Sequence, residues 1–168
     1  MGDASFIFWK GGDRPLKVPE RRLELELILQ SNQPSRIIYH KPLVLAVDDD
    51  EDNLLLLMEV LTSLSCTVIT ATSGQQAFNL ALEQQPALIL LDVMLPDING
   101  VEIVRQLKQN LQTITIPVIA VTALARQEDR DRLFLAGCDD YISKPYMLDD
   151  LEAVIQYHLA TRLLLTCC

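Results

Sequence analysis

The sequence predicts an α/β fold in which helices cover both faces of a five-stranded parallel sheet. From residue 43 onward, short apolar or β-branched runs alternate with amphipathic helical patterns, an alternation typical of parallel sheets. The run at residues 87–91 is continuously apolar rather than alternating with polar residues. Such a run indicates a strand that is buried on both faces, as in a parallel sheet.

The composition indicates a globular protein with a substantial core. The chain has 168 residues, of which 49% are hydrophobic and 22% charged, with a formal net charge of −9. Because binding of phosphates needs clustered Lys and Arg, this charge argues against a nucleic-acid surface. The apolar runs are shorter than the roughly 20 residues of a membrane helix, and we expect no secretory signal. The four cysteines form no C-x-x-C pair, so we expect a cytoplasmic protein without a disulfide framework or a zinc site.

Five segments have the composition of strands. The first four are short apolar or β-branched runs that end at acidic residues, glycine or small polar residues. The fifth is a short segment directly before Lys144-Pro145. In chain order, the predicted strands are residues 43–47, 67–71, 87–91, 118–122 and 140–143.

Five further segments have a helical pattern. The first places apolar residues 54, 57, 58, 61 and 64 on one face, and acidic residues at its start suit the positive end of the helix dipole. Ser73-Gly74 and Pro86 bound the second helix, and Gly137 ends the fourth. In chain order, the predicted helices are residues 53–64, 75–85, 101–108, 127–135 and 148–163.

Right-handed crossover connections leave few topologies for this alternation of elements. One five-stranded solution is the doubly wound, flavodoxin-like order 2-1-3-4-5. In that order strands one, three, four and five are neighbours, and their carboxyl ends share one edge. Ligands and chemistry are found at this edge in open α/β sheets.

Polar residues stand at the ends of these four neighbouring strands. Asp48 and Asp49 follow the first, Asp92 follows the third, Thr122 ends the fourth and Lys144 follows the fifth. Carboxylates that lie close together repel one another, which favours a hard divalent cation such as Mg²⁺. The lysine could pair with a phosphoryl oxygen and the threonine could donate a hydrogen bond. Asp92 would then be a nucleophile able to form an acyl phosphate.

Four motifs resemble those of bacterial response-regulator receiver domains, the CheY-like family. They are Val47-Asp48-Asp49, Leu-Asp-Val-Met-Leu-Pro-Asp-Ile-Asn-Gly at residues 91–100, Val121-Thr122-Ala123, and Tyr141-Ile-Ser-Lys144-Pro145. The resemblance covers roughly residues 43–160. It implies the flavodoxin-like (CheY-like) fold and a stand-alone response regulator of a two-component phosphorelay.

The resemblance also implies the roles of the acidic residues. Asp92 would accept a phosphoryl group from a phosphohistidine on a sensor histidine kinase or a histidine phosphotransfer protein. Asp49 would bind Mg²⁺ directly and Asp48 through water, with Asp92 and the backbone carbonyl of Met94 as further ligands. The apolar side chains of Met94 and Leu124 would flank the phosphoryl group and hinder an attacking water.

By the same resemblance, the chain is a signalling protein rather than an enzyme, although it assists phosphorylation and dephosphorylation of its own aspartate. Lys144 would contact the phosphate, and the Lys144–Pro145 peptide would be cis. Thr122 and Tyr141 would form a switch that changes the partner preference of the face at residues 126–160. We expect an unidentified downstream protein target, a homodimer through that face, and no contact with nucleic acid or a membrane.

The domain organisation is predicted as an extension and linker at residues 1–42, a receiver domain at residues 43–163 and a tail at residues 164–168. The alternation of Leu and Glu at residues 23–27 suits a strand, but the helix propensity of both residue types and Pro19 favour a helix. The sequence does not indicate what this extension does. Because five residues follow Leu163, we expect signalling by binding rather than through a DNA-binding domain.

Three other functions are compatible with parts of the pattern. A hydrolase of the haloacid-dehalogenase kind also uses a strand-end Asp and Mg²⁺, but its Asp-x-Asp motif is missing at Asp92-Val-Met. A pseudo-receiver would keep the fold for phosphorylation-independent interaction, although the complete set of polar residues argues against it. Only the similarity of the fold to that of flavodoxin-like proteins supports flavin binding. Asp50 also leaves open a shift of the metal-ligand pair by one residue, although the strand phase favours Asp48 and Asp49.

Overall fold

The computed structural model describes residues 41–123 and 126–166, with side chains to residue 162. Within this part, five strands form one parallel sheet in the order β2-β1-β3-β4-β5, which confirms the predicted architecture. The strands are β1 (Leu43–Val47), β2 (Thr67–Ala71), β3 (Leu88–Leu91), β4 (Val118–Thr122) and β5 (Asp140–Ser143). The helices are α1 (Glu51–Ser63), α2 (Gly74–Gln84), α3 (Gly100–Gln109), α4 (Gln127–Ala136) and α5 (Leu148–Thr166). The helix predicted for the N-terminal extension, and Leu124, lie outside the described residues.

Side-chain caps explain why three helices begin one or two residues earlier than predicted. The Asp50 carboxylate accepts the backbone N–H groups of Asp52 at 2.8 Å and Asn53 at 3.4 Å, so α1 begins inside the acidic run. The Ser73 hydroxyl caps α2, and the Asn99 side chain accepts the N–H of Val101 to cap α3. Across the described helices, none combines the length and the apolar composition needed to cross a membrane.

The sheet separates two hydrophobic clusters because alternate strand residues point to opposite faces. One cluster joins the sheet to α1 and α5, and the other joins it to α2, α3 and α4. The buried centre of the first cluster contains Val44, Ala46, Leu57, Leu61, Leu88, Leu90, Leu151 and Ile155. The buried centre of the second contains Leu45, Val47, Ala81, Ile89, Leu91, Ile103, Leu107 and Leu133. Both faces of β1 and β3 are therefore covered, as their apolar sequences predict.

Strand register aligns the residues that leave the carboxyl edge of the sheet. Val47 pairs with Leu91, so the following residues, Asp48 and Asp92, leave β1 and β3 side by side. The backbone N–H of Asp92 continues the ladder by donating to the carbonyl of Val47 at 2.8 Å. In the same way the backbone N–H of Lys144 donates to the carbonyl of Thr122 at 2.9 Å. The sheet therefore delivers polar side chains from four strands to one edge.

Candidate functional site

Three aspartates converge at this edge. Asp48 and Asp92 are buried, with 1% and 7% of their surfaces exposed, whereas Asp49 is exposed. One carboxylate oxygen of each residue lies within 4.8 Å of the corresponding oxygens of the other two. The residues proposed from the sequence as carboxylate ligands are thus adjacent in space. Asp50 instead caps α1 with its carboxylate, which agrees with the strand phase that favoured Asp48 and Asp49.

Lys144 joins the two buried carboxylates. Its ammonium Nζ lies 2.6 Å from Oδ2 of Asp48 and 2.6 Å from Oδ2 of Asp92. Burial disfavours the charged lysine, but the hydrogen bonds and the attraction from both carboxylates outweigh burial and raise the pKa of Lys144 above 10.5. The lysine therefore stays positively charged at neutral pH and holds the ends of β1, β3 and β5 together.

The remaining oxygen atoms of these carboxylates have their own donors. Oδ1 of Asp92 accepts the backbone N–H of Met94 at 2.8 Å. Oδ1 of Asp48 accepts the backbone N–H of Asp50 at 3.0 Å and the side-chain amide of Asn53 at 3.1 Å. Asn53 was not singled out by the sequence analysis. The sequence feature that could have pointed to Asn53 is its position as the first uncharged residue after five consecutive acidic residues.

The loop at residues 93–99 leads into α3 but is fixed to α2. The carboxylate of Asp97 accepts the backbone N–H groups of Gly74 at 2.9 Å and Gln75 at 3.0 Å, at the first turn of α2. Hydrogen bonds from Gln75 and Gly74 lower the pKa of Asp97. At the other end of the loop, the Gly100 N–H donates to the carbonyl of Val93 at 3.0 Å. These contacts fix the segment that carries Met94, whose own side chain is largely exposed.

The two residues predicted to form a switch lie on neighbouring strands. Thr122 is fully buried at the end of β4, and Tyr141 is half-buried in β5. The guanidinium carbon of Arg130, in α4, lies 4.8 Å from the centre of the Tyr141 ring. Burial raises the pKa of the Tyr141 hydroxyl. The Lys144–Pro145 peptide is cis, as the resemblance implied.

The donor set suits a hard divalent cation. Asp48, Asp49 and Asp92 bring three carboxylates, and Lys144 brings one ammonium, so these groups carry two negative charges in excess. Oxygen ligands with excess negative charge are what Mg²⁺ prefers in proteins. The chemistry of the residues present therefore fits a magnesium ion.

Comparisons with known proteins agree on one family. A family model described as "Response regulator receiver domain" matches residues 44–156. The polar-differentiation response regulator DivK of Brucella ovis is 38% identical over 116 residues, covering 69% of this chain and 94% of DivK. DivK of Brucella anthropi is 37% identical over the same length and with the same coverage.

Solved structures show the same similarity. The receiver domain of a putative Luxo repressor protein from Vibrio parahaemolyticus superposes with a TM-score of 0.71 at 26% identity, covering 76% of this chain and 97% of that one. The receiver domain of sensor histidine kinase PA1611 from Pseudomonas aeruginosa has a TM-score of 0.67 at 30% identity, covering 72% and 99%. That second structure has a magnesium ion coordinated in its active-site cleft.

Proposed function

The chain belongs to the response regulator receiver domain family of two-component signalling, and from this membership we propose that Asp92 accepts a phosphoryl group from a phosphohistidine. The observation that carries the proposal is the setting of Asp92. Its carboxylate is buried at the end of β3, lies 2.6 Å from the Lys144 ammonium and shares an edge with Asp48 and Asp49. A carboxylate in such a setting is an available nucleophile beside a fixed positive charge.

In the proposed transfer, a carboxylate oxygen of Asp92 forms a bond to phosphorus while the bond between phosphorus and the histidine nitrogen breaks. The electron pair of the broken bond stays on the imidazole, and the product is an acyl phosphate on Asp92. The ammonium of Lys144 contacts a phosphoryl oxygen instead of the carboxylates of Asp48 and Asp92. Asp48, Asp49, Asp92 and the backbone carbonyl of Met94 would hold Mg²⁺, which supplies charge stabilisation for the phosphoryl oxygens when bound.

The proposed output is a change in protein binding. The hydroxyl of Thr122 follows the phosphoryl group, the ring of Tyr141 turns inward, and the face at residues 126–160 changes its partner preference. The donor is a sensor histidine kinase or a histidine phosphotransfer protein, and the receiver of the signal is a protein target. The guanidinium of the exposed Arg130 in α4 lies over the ring of Tyr141 in β5, and this contact supports the assignment of Tyr141 to the switch.

We propose the same domain boundaries as the sequence indicates. Residues 43–163 form the receiver domain, residues 1–42 an extension with a linker, and residues 164–168 a tail, although α5 continues past the predicted helix end at residue 163 as far as Thr166. The start of β1 at Leu43 and the start of the family match at residue 44 support the boundary between the extension and the receiver domain. The family match continues to residue 156, within the proposed receiver domain.

Intact-mass measurement after treatment with acetyl phosphate tests the function directly. We expect the wild-type chain to gain one phosphoryl group in the presence of Mg²⁺ and none in EDTA. The isosteric variant Asp92→Asn should gain none, whereas Asp131→Asn, at an exposed aspartate of α4, should react like wild type.

Phosphorylation of Asp92→Asn, or no phosphorylation of wild type by either acetyl phosphate or a phosphorylated histidine phosphotransfer protein, would overturn the proposal. The second result would favour a phosphorylation-independent interaction module.

A further inference from the structure

The Asp48 carboxylate receives hydrogen bonds from three donors. The Lys144 ammonium contacts Oδ2, while the Asp50 backbone N–H and the Asn53 amide contact Oδ1. Lys144 has a direct role in the proposed transfer, and the Asp50 N–H is part of the backbone that follows β1. Asn53 is the one donor of the three that is a side chain without a role in the proposed chemistry. Its contribution can therefore be removed separately.

The amide of Asn53 meets a requirement that charged side chains at this position would not meet. A carboxylate at position 53 could not donate to Asp48 and would add a negative charge beside it. A lysine or arginine could donate, but its charge would cancel part of the negative charge that favours a cation. The asparagine amide donates a hydrogen bond and leaves the net charge of the site unchanged.

The backbone of Asn53 is itself fixed. Its N–H donates to the Asp50 carboxylate at 3.4 Å in the first turn of α1, and its side chain is half-buried. The next residue, Leu54, is buried in the cluster that joins α1 to the sheet. The amide therefore reaches Asp48 from a rigid helical turn, which is the kind of support that keeps a ligand in one orientation.

We infer that Asn53 is a positioning residue for the magnesium site, a role that rests on the proposed function. Its amide holds the Asp48 carboxylate so that Oδ1 and Oδ2 keep their directions when the cation is absent. Without the amide, Asp48 can rotate toward Lys144, and binding of Mg²⁺ must then include the cost of turning it back. Loss of an outer hydrogen-bond partner commonly lowers metal affinity 10- to 100-fold. Because two donors to Asp48 remain, we expect about a 10-fold loss.

Magnesium titration of the full chain, followed by the shift in its unfolding temperature, measures this affinity without any phosphorylation step. Asn53→Leu approximates the shape of asparagine and cannot donate, and Asn53→Ala is a second variant that cannot donate and that a helix tolerates well. Asn79→Leu is the matched control, because Asn79 is exposed on α2 and its side chain contacts Gln75. We expect about a 10-fold higher half-saturating Mg²⁺ concentration for both Asn53 variants and no change for Asn79→Leu.

A purely structural role would give a different result. Asn53→Leu would then lower the unfolding temperature in EDTA but keep the wild-type half-saturating Mg²⁺ concentration, and that outcome would overturn the inference. The rate of phosphorylation by acetyl phosphate gives a second readout. We expect a slower rate for Asn53→Leu at low Mg²⁺ and a near wild-type rate at saturating Mg²⁺. A lower rate at saturation with unchanged Mg²⁺ dependence would also contradict a positioning role.

The two proposals can fail separately. If wild type binds Mg²⁺ but gains no phosphoryl group, the proposed function fails while the titration still tests Asn53. If wild type is phosphorylated on Asp92 and the Asn53 variants match wild type in Mg²⁺ affinity, the inference about Asn53 alone fails.

Discussion

Two parts of the carboxyl edge are held together in different ways. The acceptor edge, defined as Asp48, Asp49, Asp92 and Lys144, contains two contacts of 2.6 Å between buried carboxylates and the lysine. The switch side, defined as α4 with Tyr141, has weaker connections. Two of the ten side chains of α4, Leu133 and Ala136, are buried, and among the described residues its N-terminus has no side-chain cap.

The difference matches what each part is proposed to do. Phosphoryl transfer benefits from groups that are already oriented before the reaction, because turning them costs free energy at the moment of reaction. A switch needs two arrangements of similar free energy, which few buried contacts and an exposed helix allow. Rigid fixation of the acceptor edge and weak fixation of the switch side would let a local chemical change move the weaker part.

The largest effect is expected from removing the connection at the acceptor edge. Lys144→Met leaves the buried carboxylates of Asp48 and Asp92 facing each other without a cation. Removing one partner of a buried ion pair commonly costs about 3 kcal/mol or more. We expect urea unfolding in EDTA to show a loss of about 3 kcal/mol, with partial recovery in Mg²⁺. Lys41→Met, at an exposed lysine, is the control; equal losses for the two variants would contradict the special role of Lys144.

A second large effect concerns the loop that leaves Asp92. A Cβ atom at Gly100 would lie 2.4 Å from the Cα of Val93, so Gly100→Ala forces the backbone of this loop to move. We expect a loss of about 2 kcal/mol in the free energy of unfolding. At Gly74 the added atom would meet side-chain atoms of Ile103 at 2.8 Å, which can shift more easily. Chemical unfolding of both variants should therefore show a smaller loss for Gly74→Ala; the reverse order would be contrary to the geometry.

A smaller effect is expected at Asp97, which fixes the same loop to α2. Loss of a helix-capping carboxylate costs about 1 kcal/mol, so Asp97→Ala should lower the free energy of unfolding by about that amount at pH 7. Because the pKa of Asp97 is below its ordinary value of 3.8, its charged form contributes fully above pH 3.8. The contribution declines as the pH falls through the lowered pKa.

Unfolding measured from pH 7 to pH 3 should therefore show a constant difference between wild type and Asp97→Ala that shrinks only at the acidic end. Asp97→Asn keeps one acceptor oxygen without the charge, so its loss should be smaller. If the difference in the free energy of unfolding between wild type and Asp97→Ala grew as the pH fell, the charged carboxylate of Asp97 would not be the cause.

The smallest effect is expected on the switch side. Arg130→Ala removes a cation–π contact with Tyr141 that is worth about 0.5 kcal/mol at an exposed site. We expect the ring resonances of Tyr141 in NMR spectra of the unphosphorylated protein to shift toward those of the phosphorylated protein. Arg132→Ala removes the same charge from an exposed position of the same helix and should leave the resonances unchanged. Equal shifts in the two variants would indicate a general effect of charge.

The strands and the residues at their ends were predicted from local patterns, and the sheet order was predicted from the crossover rule together with the resemblance of four motifs. Apolar or β-branched runs located the first four strands, and Asp92 stands directly after one of them. Lys144 follows the fifth strand, which was located as the short segment before Lys144-Pro145. The contacts of Asn53 and Asp97 could not be predicted in the same way. The Asp97 side chain reaches residues 22 and 23 positions earlier in the chain, and that distance closes only when α2 packs beside the loop.

Helix starts were also missed for a local reason. Five consecutive acidic residues favour a loop by composition, but Asp50 within them is a helix cap, and α1 therefore begins two residues earlier than predicted. The position of Arg130 above Tyr141 depends on how α4 packs, which a helix with few apolar residues does not reveal in its sequence.

The three-way contact at Lys144 has a consequence for how the chain folds. Its partners are 96 and 52 residues away in the sequence, so the contact closes two long loops. Such non-local contacts form late, because the entropy of loop closure must be overcome before they contribute. Under the proposed function, a nascent or partly folded chain would lack an assembled acceptor and could not take part in signalling. Competence for phosphorylation would then report that β1, β3 and β5 have come together.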